Sequence, residues 1–290
     1  MDIDGDGRLD ILSGSYSRME RDMAGLFQVL YSNADGTFRK AEILKGTDNQ
    51  PLIIPTKGEN QMTEKICTRP FAVDWDGDGR LDLIVGNFSG TFYWFKGEGK
   101  GKFRPKPEPL KTAGGEVLKI EGNHSDPFVI DWDGDGDLDI LSGSSSGGVM
   151  WAENVAGKGK QPEMRPFKWL IKPGRNVQYG ELVKEDELTG PTTSTRIWVA
   201  DVNGDGKLDL LVGDSVTLLS AAKGVSKEEF KKKFAAWQEA VQKASKELSS
   251  ETANQEKRNK ANQEFQKVYN SRNEFMKEDR TGFVWLYLQK

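Results

Sequence analysis

The chain has 290 residues, of which 30% are charged and 36% hydrophobic, with 45 acidic residues against 41 basic ones and a formal net charge of -4. No run of 18 apolar residues occurs, which excludes a helix spanning a membrane. The single cysteine, Cys67, excludes an internal disulfide framework and reads as a small buried apolar residue, and the length suffices for one large repeat array or two smaller domains.

Sixteen of the 45 acidic residues fall in four nine-residue loops of one design. The first is Asp2-Ile3-Asp4-Gly5-Asp6-Gly7-Arg8-Leu9-Asp10; the others run from Asp74 to Asp82, Asp131 to Asp139 and Asp201 to Asp209, with Asn203 replacing one aspartate in the last. They recur at intervals of 72, 57 and 70 residues, so a repeat array is the first expectation. In the first repeat Met1 alone precedes the loop, and Phe27-Gln28-Val29-Leu30 reads as a later strand. From that start Met1 is expected to be an internal residue of a chain whose N-terminal part, with any leader, lies upstream.

The second repeat is fuller. Phe71-Ala72-Val73 leads into the loop, Leu81 to Gly86 reads as a buried strand, and Phe92-Tyr93-Trp94-Phe95 alternates around an aromatic residue. The basic stretch from Lys96 to Lys111, broken by Gly and Pro, reads as a solvated hairpin, and no nucleic-acid motif accompanies it. The third repeat follows the same order with Phe128-Val129-Ile130, Leu138 to Gly143 and Val149-Met150-Trp151-Ala152; the fourth has Trp198-Val199-Ala200, Leu208 to Gly213 and, at the end of the chain, Phe283-Val284-Trp285-Leu286. Trp94, Trp151 and Trp285 are expected to pack between neighbouring sheets.

An element of different period interrupts the fourth repeat. Ser226 to Glu229 is a capping box, and Phe230, Phe234, Trp237, Val241, Ala244 and Leu248 then step by four and three, the spacing of a helical seam. Ala261, Phe265, Val268, Arg272 and Phe275 continue the stepping after Ser249-Ser250, so residues 226–278 are expected to form an antiparallel helical hairpin whose seam holds its two helices together; docking through the hairpin is a lesser expectation.

The aspartate loops have the spacing of a calcium site. A hard cation takes six to eight oxygens, and a tightly turned loop offers them from its first, third and fifth side chains and its seventh carbonyl. The expected metal residues are Asp2, Asp4, Asp6, Arg8 and Asp10; Asp74, Asp76, Asp78, Arg80 and Asp82; Asp131, Asp133, Asp135, Asp137 and Asp139; and Asp201, Asn203, Asp205, Lys207 and Asp209, with about four Ca2+ in all. The ninth aspartate is expected to close each site. Position 12 is Ser13, Val85, Ser142 or Val212, not the glutamate of an EF-hand, and a strand follows in place of a helix. Carboxylates about 4 Å apart repel by roughly 1 kcal/mol per pair even in water, so a mere turn gains nothing by collecting them four times. Four bound divalent ions turn the net charge mildly positive, favouring an anionic partner only weakly.

The motif Asp-x-Asp/Asn-x-Asp-Gly-x-x-Asp, followed by an apolar strand and Gly, resembles the FG-GAP family in its broader VCBS-like form; the literal Phe-Gly and Gly-Ala-Pro signatures are missing. The resemblance covers most of residues 1–224 and the last ten. It implies an all-β fold, a calcium-binding β-propeller of four-stranded antiparallel blades similar to that of integrin alpha subunits, with about four blades in this chain and six to eight in a complete protein. The expected organisation is propeller blades over 1–224, an inserted α-helical hairpin over 225–279 and a final strand over 280–290. The resemblance also implies an extracellular or cell-surface location and a glycan or protein ligand.

The residues before the inner strands align as Thr68-Arg69-Pro70-Phe71, Ser125-Asp126-Pro127-Phe128 and Thr195-Arg196-Ile197-Trp198. Arg69, Asp126 and Arg196 are therefore expected to converge, with His124, the single histidine, beside them, and loops 44–68, 108–126 and 171–195 are expected to crowd the same face. The consecutive His124, Ser125 and Asp126 cannot form a catalytic triad, which needs convergence from separate segments. Glu181, Glu185, Asp186 and Glu187 offer carboxylate pairs of the kind glycoside hydrolysis uses, but read as a solvated loop. Two functions of different class follow: a binding module of a surface or secreted protein, which is preferred, and a polysaccharide lyase or hydrolase in which Arg69, His124 and Arg196 act on a uronate.

Overall fold

The computed structural model describes residues 1–16, 25–55, 64–250 and 255–290. The chain divides into two compact units, one of residues 1–174, 190–214 and 283–290, the other of residues 175–189 and 215–282.

The first unit is a series of antiparallel sheets. β1 (Ile11–Ser13), β2 (Gln28–Leu30) and β3 (Glu42–Ile43) make the first, in that order. β4 (Arg69–Val73), β5 (Asp82–Gly86) and β6 (Phe92–Phe95) begin the second. The hairpin of β7 (Gly97–Gly99) and β8 (Lys102–Phe103) follows, and β9 (Glu108–Pro109) completes the sheet beside β6. The third sheet is β10 (Asp126–Ile130), β11 (Asp139–Gly143), β12 (Val149–Ala152) and β13 (Lys168–Ile171). Next come β14 (Thr193–Ala200), β15 (Asp209–Ala221), α1 (Lys227–Ser250), α2 (Gln255–Asn270), β16 (Met276–Thr281) and β17 (Val284–Tyr287). β14 and β17 flank the first part of β15.

The middle strands β5 and β11 are buried at every position, as expected of short apolar runs covered on both faces. Their alternation serves two cores. Leu83 and Val85 pack with Phe27, Val29, Leu44 and Phe95, whereas Ile84 packs with Trp94, Val129 and Ile140. Leu141 turns to a third cluster with Trp132, Val199, Leu210 and Val212, against which Trp151 and Trp285 also lie. Each fully buried side chain of this size contributes about 1.5–3 kcal/mol. Successive sheets of the unit are thus held by shared apolar layers.

Between these layers runs a repeated polar clip. The hydroxyl of Ser125 accepts the Asn87 backbone N–H (2.8 Å) and donates to the Thr91 carbonyl (2.8 Å) of the preceding sheet. Thr195 does the same, accepting from Ser144 N–H (2.9 Å) and donating to the Gly148 carbonyl (2.8 Å), and Thr68 accepts from Ser15 N–H (3.1 Å). All three hydroxyl residues are buried. The glycine ending each middle strand permits the approach: a Cβ on Gly86 overlaps the carbonyl of Ser125, and one on Gly143 that of Thr195. The residue before each hydroxyl, Cys67, His124 or Ser194, takes a positive φ of 53°, 60° or 52°, a conformation uncommon for side-chain-bearing residues.

In the second unit the later part of β15, Val216–Ala221, pairs with β16. Phe230, Phe234 and Trp237 of α1 pack with Leu219, Phe275 and Met276, and the Trp237 indole donates to the Val268 carbonyl (3.1 Å). Ser226 caps α1 by accepting the Glu229 N–H at 3.2 Å. Two features differ from the pattern in the sequence. The helical stepping runs to 278, but α2 ends at Asn270 and residues 276–281 are extended, because the edge offered by Val216–Ala221 outweighs the local period. Residues 175–189, expected beside the inner-strand cluster, belong to this unit, where Leu182 bridges to Leu219 and Tyr179 lies 5.8 Å from the Phe234 ring. Part of loop 44–68 lies outside the described residues.

Replacing Ser125 with Ala, or Thr195 with Val, is expected to lower unfolding free energy by about 1–3 kcal/mol, because a buried backbone N–H loses its partner. Urea denaturation checks this, and a loss below about 0.5 kcal/mol removes the clip from the account of sheet coupling.

Candidate functional site

Each aspartate loop is folded by its own first side chain. Asp2 accepts the N–H groups of Gly5 (2.8 Å), Asp6 (3.0 Å) and Gly7 (2.8 Å). Asp131 accepts from Gly134 (2.8 Å) and Gly136 (3.0 Å), Asp201 from Gly204 (2.7 Å) and Gly206 (2.9 Å), and Asp74 from Gly79 (2.9 Å). The fifth carboxylate in turn accepts from the seventh residue: Arg8 to Asp6 (3.0 Å), Arg80 to Asp78 (3.0 Å), Asp137 to Asp135 (3.1 Å) and Lys207 to Asp205 (2.9 Å). The backbone therefore wraps a small oxygen-rich bowl.

In three loops, Asp2/Asp4/Asp6, Asp74/Asp76/Asp78 and Asp131/Asp133/Asp135, the carboxylate oxygens lie within 4.8 Å of one another. The fourth has Asn203, whose amide donates to Asp205 (3.0 Å). In the second loop Oδ1 of both Asp74 and Asp76 is buried without a hydrogen-bond partner, as is Oδ1 of Asp137 in the third. A hard, oxygen-seeking cation fits such a donor set. Basic side chains also enter: Arg8 pairs with Asp6, Arg80 with Asp78 (2.5 Å), and Lys96 with Asp76 and with Asp78 (3.1 Å).

The ninth aspartates have a second task. Asp82 accepts Trp75 N–H (3.1 Å) on one oxygen and Gly97 N–H (2.5 Å) on the other; Asp139 accepts from Trp132 (3.2 Å) and Asn154 (2.7 Å). Asp10 accepts from Ile3 and Ser32, and Asp209 from Val202 and Gln289. All four are buried, and each ties its loop to a residue just past β2, β6, β12 or β17, the partner of the strand that follows the loop. Burial pushes the Asp139 carboxyl up to about 7 and raises that of Asp82, with the backbone N–H groups pulling the other way.

The inner strands bring the second candidate site together. Arg69 on β4 and Arg196 on β14 flank Asp126 on β10, with Nη1 of Arg69 3.7 Å and Nε of Arg196 3.4 Å from its two oxygens. Burial raises the Asp126 carboxyl, while the two guanidinium groups act to lower it. His124 stands edge-on to Phe88 at 4.5 Å; burial, then Arg69 and Arg196, lower its pKa, favouring the neutral ring. Nδ1 of His124 and Nε of Arg69 are buried without partners. One rung along the same strands, Phe71, Phe128 and Trp198 form an aromatic row at 5.0 and 5.5 Å, and Trp198 is 62% exposed. Strand alternation signals that rung, because Trp198 is two residues beyond Arg196; the exposure is visible only in the fold. In the other unit Glu181 pairs with Arg175 (2.6 Å) and Glu187 accepts Lys184 N–H (2.8 Å), so this acidic loop is engaged in local contacts.

Residues 74–142 and 131–212 match the FG-GAP-like repeat, each match running from the first aspartate of one loop into the strand after the next. Residues 74–212 of the chain are FG-GAP-type repeats. No curated protein matches the chain. The FG-GAP repeat accounts for the alternation of loop and apolar strand that builds the antiparallel sheets. No helix among the described residues is long and apolar enough to cross a membrane.

Asp82→Ala is expected to cost roughly 2–5 kcal/mol, since it strands two buried N–H groups, whereas Asp133→Asn keeps an acceptor, relieves like-charge repulsion and changes stability by less than about 0.5 kcal/mol. Urea unfolding in excess chelator separates them. Equal costs would show that the ninth carboxylate is no more structural than the third.

Proposed function

We propose that this chain, with its FG-GAP-type repeats, is a calcium-stabilised binding module, propeller-like in architecture, of a secreted or cell-surface protein, and that it recognises a glycan or protein ligand at the inner-strand cluster. The convergence of Arg69, Asp126 and Arg196 from three separate strands carries the reading. Asp126 is the one carboxylate either arginine pairs with among the described residues, so the cluster keeps an excess positive charge and unmet hydrogen-bonding capacity at Arg69 Nε and His124 Nδ1. Such a rung suits an anionic group, and the exposed Trp198 beside it suits a flat apolar face.

Calcium belongs to the structural part of the proposal. The first, third and fifth side chains and the seventh carbonyl of each loop hold the ion, which supplies the charge that offsets the clustered carboxylates. Ligand on the native state alone stabilises it, by about 2.7 kcal/mol per site at a hundredfold excess over Kd. Calcium is therefore expected to raise Tm and chelator to lower it in a thermal melt; a melt indifferent to both contradicts the loop assignment.

The alternative reading, a carbohydrate-active enzyme, rests on His124, which burial and the charges of Arg69 and Arg196 bias toward the neutral ring. Incubation of the calcium-loaded protein with neutral and acidic polysaccharides, scoring retention and new chain ends, separates the two. Retention without new ends, weakened at least tenfold by Arg69→Gln or Arg196→Gln, is the expected result. New chain ends, lost in the same variants, point to the enzyme.

A further inference from the structure

One position is equivalent in every repeat, and its chemistry differs in every copy. The ninth-aspartate ties fix the register: their second donors are Ser32, Gly97, Asn154 and Gln289, so the residues just before them, Tyr31, Lys96, Glu153 and Leu288, are equivalent. Lys96 directs its ammonium onto the third and fifth carboxylates of its loop, Asp76 and Asp78 (3.1 Å to the latter), with the same Nζ over the Trp94 ring, 5.6 Å from its centroid. Its side chain is 21% exposed, so this is a partly shielded contact. Glu153 puts the opposite sign at the equivalent position; it pairs with Arg165 (2.8 Å) and Lys168 (3.2 Å) and adds a like charge to the surroundings of the third carboxylate, Asp133.

We propose that Lys96 is a tethered counter-cation that competes with calcium for the 74–82 loop, making it the last of the three all-aspartate loops to fill. The inference rests on the calcium reading above. A divalent ion entering the bowl of Asp74, Asp76 and Asp78 must displace an ammonium already paired with two of the three carboxylates, and that ammonium then lies next to the ion as a like charge. The 131–139 loop imposes no such exchange: its equivalent side chain is a carboxylate. The 2–10 loop has the uncharged Tyr31 there. Two identical-looking motifs therefore differ in affinity through a residue outside either motif. Calcium at the 74–82 loop also frees Lys96 from its carboxylates and changes the surroundings of the Trp94 ring.

The test is calorimetric titration of the chelator-stripped full chain with calcium chloride, with tryptophan fluorescence followed in parallel. Lys96→Met keeps the stem and removes the charge; it is expected to tighten the weakest of the all-aspartate sites about fivefold or more, and Lys96→Gln to act likewise. Asp76→Asn in the Lys96→Met background should abolish that gain, which assigns it to the 74–82 loop. Glu153→Lys should weaken a tight site by a similar factor. Uptake of calcium with affinities unchanged by the Lys96 substitutions overturns the inference and leaves the calcium reading intact. No uptake by the unsubstituted protein overturns both.

Discussion

A buried carboxylate that accepts two backbone N–H groups from separate segments is the constraint on which the repeat depends. Asp10, Asp82, Asp139 and Asp209 each begin or immediately precede a strand, and each holds the second residue of its loop with one oxygen and, with the other, a residue just past the partner of that strand. An amide at these positions offers one acceptor oxygen, and an alkyl group none, so a carboxylate alone satisfies both donors. The loop, the strand after it and that strand's partner are thereby locked in one register, a tie separate from the bonds by which the first and fifth carboxylates fold the loop itself.

The same economy governs the contact from sheet to sheet. A glycine at the end of the middle strand lets the next inner strand approach, and a buried hydroxyl from Thr68, Ser125 or Thr195 joins the two backbones. The approach puts the preceding residue at positive φ and sets Arg69, Asp126 and Arg196 at equivalent heights. The candidate ligand cluster is thus a by-product of how the sheets are joined, with the chemistry supplied by the one residue in each copy that the joint leaves free. His124 owes its position to the same joint.

Charge separates the two ends of the inner strands. One end leads into the carboxylate loops; the other carries guanidinium groups with a single shared carboxylate. The net charge of -4 conceals this division, because the loops concentrate acid and the rest of the chain is richer in basic residues. The positive field at the arginine rung is local, and net charge has little bearing on it.

Period and spacing made much of this legible before any coordinates. The four loops, the apolar strand and glycine after each, the missing inner strand of the first repeat, the helical stepping from Phe230 and the alignment of Arg69, Asp126 and Arg196 all follow from local pattern, since strand alternation and loop geometry repeat with the sequence that encodes them. The dual bonding of the ninth aspartate, the meeting of Lys96 with Asp76, the exposure of Trp198 and the strand at Met276–Thr281 do not. Each depends on which segments are brought side by side: a carboxylate reads the same whether its second oxygen meets water or Gly97, and Met276–Thr281 becomes a strand only because Val216–Ala221 presents an edge. The sequence by itself determined the repeat, its loops and its apolar layers, because those are set by residues near one another in the chain; the tertiary structure decided what each polar group is paired with, because those partners arrive from fifteen to eighty residues away.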